Sequence, residues 1–455
     1  MSALGTPADE ITAVDGSNDQ DRPLAEQGIR IIDGPPGPRA RERIAHDKQF
    51  VSPSLIFCYP LYVARAAGCM VEDIDGNVYL DAQAGVATAS TGHCHPKVAA
   101  AIAAQAQNLI HICGTDFHYP AYGAVCERLN ALAQRLSPAG SPATTWQTFL
   151  TNSGTEAVEA ALKLSRNHTE RGGIVAFRGG FHGRTYGSLS LTSSKTKYRK
   201  HFGPLLPSVF HGTWGSVASV EDELFVNLVA PEDVAAIVVE PVLGEGGYIL
   251  PPPDFLPGLR RLCDAHGILL VFDEVQSGMG RTGKMFAAEH FGVTPDVVIL
   301  AKGLASGMPL GAMMARQELM TWPPGSHGST CAGNPVCCAA ALATLDLLET
   351  SLVDNAARRG EQLLGRLARE LDLETGVVEV RGAGLMIGVE FDNPARADAV
   401  ADLCFRRGLL VLECGTKAIR ISPPLILTEA QANTIADVFV TACHDVWKGH
   451  VPPSP

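Results

Sequence analysis

Five short apolar runs set the tightest limit on how this chain can fold: TFL at 148–150, IVAF at 174–177, AIVV at 236–239, ILLVF at 268–272 and VVIL at 297–300. Each lies among helical or turn segments. Runs of that length and continuity predict strands buried on both faces, as in a largely parallel sheet covered by helices. AIVV leads into Glu240, ILLVF into Asp273, and VVIL into Ala301-Lys302. Ligands in open α/β sheets gather outside the carboxyl ends of the strands, so three charged residues delivered to that edge predict a site there.

The runs belong to a large domain expected over residues 97–350. Residues 46–96 are expected to form the first segment of a smaller domain. There VARAAGCMVEDIDGNVYLDA alternates apolar and polar residues around Asp75-Gly76-Asn77, as a β-hairpin does. The rest of that smaller α+β domain is expected over 351–455. It opens with the amphipathic helix pattern NAARRGEQLLGRLARELDLE and continues with GLMIGVEF and GLLVLECGTKAIRIS as strands. Residues 1–45, rich in Pro, Gly, Asp and Arg, read as a tail, or as an arm lying on another subunit.

A chain of 455 residues, 46% of them hydrophobic, can bury a large core. Only 18% are charged and the formal net charge is -12, which provides no basic footprint for nucleic acid or an anionic membrane. The acidic, polar N-terminus lacks the features of a secretory signal, and no run of about 18 uncharged apolar residues occurs, so a cytoplasmic location is expected. Twelve cysteines without a CxxC pair fit reduced thiols. His93, Cys94 and His95 are too close together in sequence to converge on one ion, so no metal is expected.

Lys302 lies just beyond a hydrophobic strand, where scarce water lowers an amine's pKa and frees its lone pair for Schiff-base chemistry. Asp273, at another strand end, can pair with a protonated pyridine nitrogen, while Gln276 can reach a phenolic oxygen on that ring and Val275 can pack beneath it. Ser153, Gly154 and Thr155 stand between a strand and the helix pattern TEAVEAALKLSR, where backbone N–H groups and the helix dipole suit a phosphate. Each feature has an ordinary reading too: a surface lysine, a solvated carboxylate, a capping box of Ser153 with Glu156. Their co-occurrence favours the chemistry.

The blocks SGTEAVEAALKLSR, FRGGFHGRTYGSLSLT, VVEPVLGEGGY, LLVFDEVQSGMGRTG, LAKGLASGMPLGA, GSTCAGNP and IRISPPL, in that order, resemble the class III aminotransferase family from about residue 50 to the C-terminus. The resemblance implies fold-type I α/β architecture, with a mostly parallel seven-stranded sheet, and pyridoxal 5'-phosphate carried on Lys302. It implies that Phe181 stacks on the pyridine ring with His182 beside it, and that Glu240 lies near the ring's phenolic edge. It implies that Thr330 reaches a neighbour's cofactor phosphate, making the protein a homodimer with shared active sites; whether dimers pair into tetramers stays open. Arg420 matches the residue that binds an α-carboxylate and Arg184 the one that takes a distal carboxylate. Glu245 matches the gate that neutralises Arg420 when the donor lacks an α-carboxylate. Val86 stands where ornithine-type enzymes carry tyrosine, and Cys331 where a bulkier residue is common.

The expectation is therefore a ping-pong transfer of an amino group from an ω-amino acid, with 4-aminobutyrate the leading donor, to 2-oxoglutarate. Three alternatives stay open: an amino-acid racemase or epimerase of the same family, an acetylornithine or ornithine aminotransferase, and a non-catalytic cofactor-binding protein.

Overall fold

The computed structural model describes residues 22–137 and 144–450. The chain first forms β1 (Val63–Ala67), β2 (Met70–Asp73) and β3 (Val78–Asp81), an antiparallel set. The turn between β2 and β3 lies at Asp75-Gly76-Asn77, as the alternating pattern predicts, with Gly76 at φ 88°. Asp73 holds this turn: its Oδ1 accepts the N–H groups of Asp75 and Asn77, each at 2.9 Å.

The central sheet contains β4 (Trp146–Thr151), β5 (Gly173–Phe177), β6 (Val209–Gly212), β7 (Val234–Val239), β8 (Leu269–Asp273), β9 (Val297–Leu300) and β10 (Gly311–Arg316). Its order is β4-β10-β9-β8-β7-β5-β6. β10 runs antiparallel to both its neighbours and the other pairings are parallel, so the sheet is mostly parallel with one reversed strand. Every residue of β5, β7, β8 and β9 is buried, because helices cover both faces. These features make the architecture fold-type I.

The C-terminal segment opens with the helix Val353–Glu370. It continues with β11 (Val377–Ala383), β12 (Met386–Phe391), β13 (Leu409–Leu410), β14 (Leu412–Cys414) and β15 (Ala418–Ile421). β13 joins β3 in parallel, closing the N-terminal sheet with a strand more than 300 residues away in sequence, whereas β11-β12-β15-β14 form a separate sheet. Two further helices, Pro394–Arg406 and Glu429–Trp447, pack here. The helical stretch Pro335–Glu370 is long and apolar enough to cross a membrane by length and composition, but more than half of its most apolar window is buried inside the protein.

The described part of the N-terminal segment departs from the expected tail. Leu24 is buried in the core, Arg30 exchanges backbone hydrogen bonds with Val78 at 2.9 and 2.7 Å, and Pro38–Asp47 is helical. Leu24 and Ile29 supply apolar surface that a free arm would leave in water. Residues 1–21 lie outside the described residues.

The helix Val353–Glu370 crosses the β11-β12 turn at Gly360, where an added Cβ would land on the backbone of Gly384. Alanine is intrinsically the better helix former by about 1 kcal/mol. Overpacking against immovable backbone costs about 1–3 kcal/mol or more. Gly360→Ala is therefore expected to destabilise the protein on balance, measured as a lower midpoint in urea unfolding; an unchanged or higher midpoint would show that the contact can relax.

Candidate active site

Two cavities meet where Lys302, Phe181 and Arg184 line both. One, a chamber of about 420 Å3, is bounded by the residues that follow β4, β5, β7, β8 and β9. The other, a cleft of about 770 Å3, extends from Lys302 past Val86, Glu245 and Arg420 towards the helix Pro394–Arg406. The predicted site residues thus converge from separate strands at the carboxyl edge of the sheet. Thr330 is the exception: it stands exposed and lines neither cavity. Cys331 is likewise exposed and outside both.

Lys302 follows Ala301 at the end of β9 with φ 42°, a left-handed conformation that a side chain disfavours and that stores strain of about 1–3 kcal/mol. Its successor is glycine, where a Cβ would stand 2.6 Å from Ser90 Oγ and require that side chain to move. Burial lowers the Lys302 amine to about 8; Glu245 acts in the opposite direction, with smaller effects from Arg420, Asp273 and Glu240. About a tenth of the amine is therefore neutral and nucleophilic at pH 7, several hundredfold more than for an ordinary lysine.

Asp273 is buried at the end of β8. Its Oδ1 accepts the N–H of Val275 at 3.1 Å, and its Oδ2 lies 2.7 Å from His182 Nδ1. Burial alone would discharge His182, but the hydrogen bond to Asp273, that carboxylate's charge and Glu240 outweigh it, so the imidazole pKa is raised. The resemblance put His182 beside the ring; in the structure it lines the same chamber as Phe181, and its hydrogen bond to Asp273 fixes the carboxylate's orientation. Glu240 accepts the N–H groups of Phe181 at 3.0 Å and Gly244 at 3.1 Å, and burial pushes its carboxyl up to about 7.

Ser153 caps the helix Gly154–Thr169, its Oγ accepting from Glu156 N–H at 3.4 Å. The reciprocal half of the expected capping box is displaced by one residue: Glu156 Oε2 takes the backbone N–H and Nδ2 of Asn152 at 2.8 and 2.9 Å. Thr155 Oγ1 meets Ser188 Oγ at 2.5 Å and Thr185 Oγ1 at 2.8 Å, a hydroxyl cluster beside the positive end of the helix dipole. A Cβ on Gly154 would come within 2.9 Å of Val275 Cγ2, so glycine lets the helix N-terminus and the Val275 side chain pack closely beside the chamber.

In the cleft, Arg420 and Glu245 form a buried ion pair. The Glu245 carboxyl is held below its ordinary value because Arg420 and Lys302 overcome its burial, and Arg420 is correspondingly raised. Val86 has φ 63°, an outlier for a β-branched residue, which marks this bend as held by its surroundings. Arg184 is exposed with its guanidinium 4.4 Å from the Tyr198 ring centroid. Sequence reasoning missed Asn152, Tyr198 and Lys195; Asn152 adjoins a motif already read, whereas the other two reach the cleft only through the loop after residue 191.

The chamber suits pyridoxal phosphate. The buried Gln276 has an Oε1 without a partner among the described residues, as expected of a side chain oriented by a ligand. A buried amine, a carboxylate with open lone pairs, an aromatic side chain and a helix N-terminus surround one volume, matching an aldehyde, a pyridine nitrogen, a ring face and a phosphate. His93 and His95, in contrast, are spent on structure: His93 Nε2 lies 2.7 Å from Asp81 Oδ2, and His95 Nδ1 accepts Lys97 N–H at the start of a helix.

Comparison with known proteins agrees. The family profile described as Aminotransferase class-III matches residues 56–443. Acetylornithine aminotransferase of Methanopyrus kandleri is 44% identical, covering 82% of this chain and 91% of its own. Alanine/serine racemase of Pyrococcus horikoshii is 38% identical, covering 93% and 94%, and 4-aminobutyrate aminotransferase GabT of Escherichia coli K12 is 40% identical, covering 86% and 95%. The crystal structure of ornithine aminotransferase from Toxoplasma gondii ME49 superposes with a TM-score of 0.82 at 32% identity, covering 90% of this chain and 96% of that one. With residue match, fold and chamber in accord, the chain belongs to the class III aminotransferase family of pyridoxal-phosphate enzymes.

Proposed function

We propose that this enzyme takes the amino group of an ω-amino acid, of which 4-aminobutyrate is the simplest, and passes it to 2-oxoglutarate. The closed Glu245–Arg420 pair carries this reading. A donor that presents a terminal amine brings no carboxylate next to its reacting carbon, so Arg420 would be stranded in a dry pocket without Glu245. 2-Oxoglutarate brings that carboxylate, and Arg420 then binds it in a bidentate fork while Glu245 withdraws.

Bound pyridoxal phosphate supplies an electron sink for the carbanion left when the donor carbon loses its proton, and a carrier for the amino group. The protein supplies the rest. Lys302 holds the cofactor and, once freed by the donor, moves the proton. Asp273, backed by His182, keeps the pyridine nitrogen protonated, and Phe181 and Val275 confine the ring. Arg184 receives the distal carboxylate. Two chains pair in this reading, each presenting its exposed Thr330 to the other's cofactor phosphate; the exposed Phe50, Leu55, Ile56 and Phe57 offer apolar surface for that contact.

Racemisation is the second reading. The relative named alanine/serine racemase covers 93% of this chain, including part of the N-terminal segment whose Pro35 and Pro36 line the cleft. Incubating one enantiomer of ornithine, lysine, leucine or alanine without a keto acid separates the two readings, since appearance of the mirror form would replace the donor assignment.

Three outcomes are expected. Holoenzyme mixed with ω-amino donors should convert to the amine form of the cofactor in a spectrophotometric half-reaction, and Lys302→Ala should abolish the conversion. Glu245→Gln should slow the half-reaction with ω-amino donors by about tenfold or more, since an unpaired buried charge costs several kcal/mol, but slow the glutamate half-reaction less; equal losses would make the pair merely structural. Finally, capture of pyridoxal phosphate by the apoprotein needs a neutral amine. Because burial lowers Lys302 to about 8, the capture rate should rise about tenfold per pH unit below that value and level off above it; a rise continuing to pH 10 would contradict the site's dryness.

A further inference from the structure

Val86 lines the cleft from an uncommon stretch of backbone. Ala84, Gly85, Val86 and Ala87 all have positive φ, at 51°, 57°, 63° and 59°. Ala87 N–H returns to the carbonyl of Gln83 and Thr88 N–H to that of Ala84, each at 2.8 Å, so the four residues form one turn of left-handed helix. In L-residues such a turn presses each Cβ towards the following carbonyl oxygen, and of the four only Gly85 escapes that contact. The turn is therefore unstable by itself and must be held from outside.

Asp81, buried at the end of β3, holds it. Its Oδ1 accepts the N–H groups of Gln83 at 2.8 Å and Ala84 at 2.9 Å, the two that open the turn. Its Oδ2 lies 2.7 Å from His93 Nε2, which donates to it. His93 is placed independently of the turn: its backbone exchanges hydrogen bonds with Gly68, between β1 and β2, at 2.8 and 2.9 Å. Gly92 before it has φ 80°, and a Cβ there would stand 2.9 Å from Gly68 O. The imidazole thus ties Asp81 to the N-terminal sheet. With both oxygens engaged the carboxylate has one setting, and the start of the turn follows it.

We propose that Asp81 and His93 are positioning residues for the substrate: together they hold the left-handed turn that presents Val86 to the cleft, and so set where a bound donor lies relative to Lys302. Neither residue lines the cleft or the chamber, so both act through Val86. Without His93 the Asp81 carboxylate is free to turn away. Ala84, Val86 and Ala87 then relax towards the negative φ that their side chains favour, and the wall made by Val86 moves. The inference applies to whichever donor the enzyme prefers and goes beyond the donor assignment above.

A double-mutant cycle tests this. 4-Aminobutyrate, ornithine, N-acetylornithine, alanine and glutamate are each mixed with the holoenzyme, and the limiting rate and half-saturating concentration of conversion to the cofactor's amine form are measured per bound cofactor. For the donor with the highest ratio of rate to concentration, His93→Ala should lower that ratio by about tenfold or more, since a misplacement of about 1 Å is worth up to about a hundredfold. His93→Gln, whose amide nitrogen can stand where Nε2 stood, should recover most of the loss. Val86→Gly removes both the wall and its strain, and in that background His93→Ala should add less than about a twofold loss. Asp81→Asn, which keeps the shape and one acceptor oxygen, should give a smaller loss with the same dependence on Val86, and replaces His93→Ala in the cycle if that variant does not fold. An unchanged ratio in His93→Ala overturns the proposal. So do losses from His93→Ala and Val86→Gly that multiply in the double variant. Conversion by α-amino acids alone removes the ω-donor reading and leaves this one to be decided by the same cycle.

Discussion

Removing charge from water at one edge of a hydrophobic sheet is the constraint on which the rest of this site depends. Asp273, Glu240 and Lys302 arrive there on the ends of strands whose other residues are fully buried, so none of them can choose its own solvation. Each is consequently defined by a partner. His182 gives Asp273 a hydrogen bond and a fixed orientation, Phe181 and Gly244 give Glu240 two backbone donors, and Glu245 and Arg420 hold each other. Among the described residues Lys302 has no direct partner of that kind, and burial loosens the proton of its amine.

The same dryness divides labour between the two cavities. In the chamber, charges are fixed and their partners belong to the protein, as suits a cofactor that stays. In the cleft, Glu245 and Arg420 hold one another in a pairing that a substrate carboxylate can undo, as suits ligands that come and go. Lys302 stands where the two meet, so proton movement occurs at the boundary between permanent and exchangeable contacts.

Close backbone approaches hold this arrangement. Gly154 lets a helix N-terminus descend beside Val275, Gly303 lets the chain pass Ser90 immediately after the lysine, and Gly360 lets a helix cross the β11-β12 turn. Lys302 and Val86 are held with positive φ, strain that the packed surroundings sustain. The stability of the sheet and the placement of the reactive amine are thus one problem.

Much of this was legible in the chain itself. The buried runs announced five strands of the central sheet, and the charged residues after them announced the site, because solvation and strand periodicity are local properties that a run of Val, Ile and Leu displays directly. β6 and β10 escaped notice: VFHG is only partly buried, and GAMMAR is built from residues with little β preference. The reversed direction of β10, the joining of β13 to β3 and the packing of Leu24 depend on which distant surfaces meet, and no local pattern encodes that. Chemical type could be read at single positions: an amine at 302, acids at 240, 245 and 273, guanidinium groups at 184 and 420. Their charge states and pairings were decided by the tertiary structure, because burial and the distance to a counter-charge exist only once the strands, the loop after β5 and the C-terminal sheet have come together around one space.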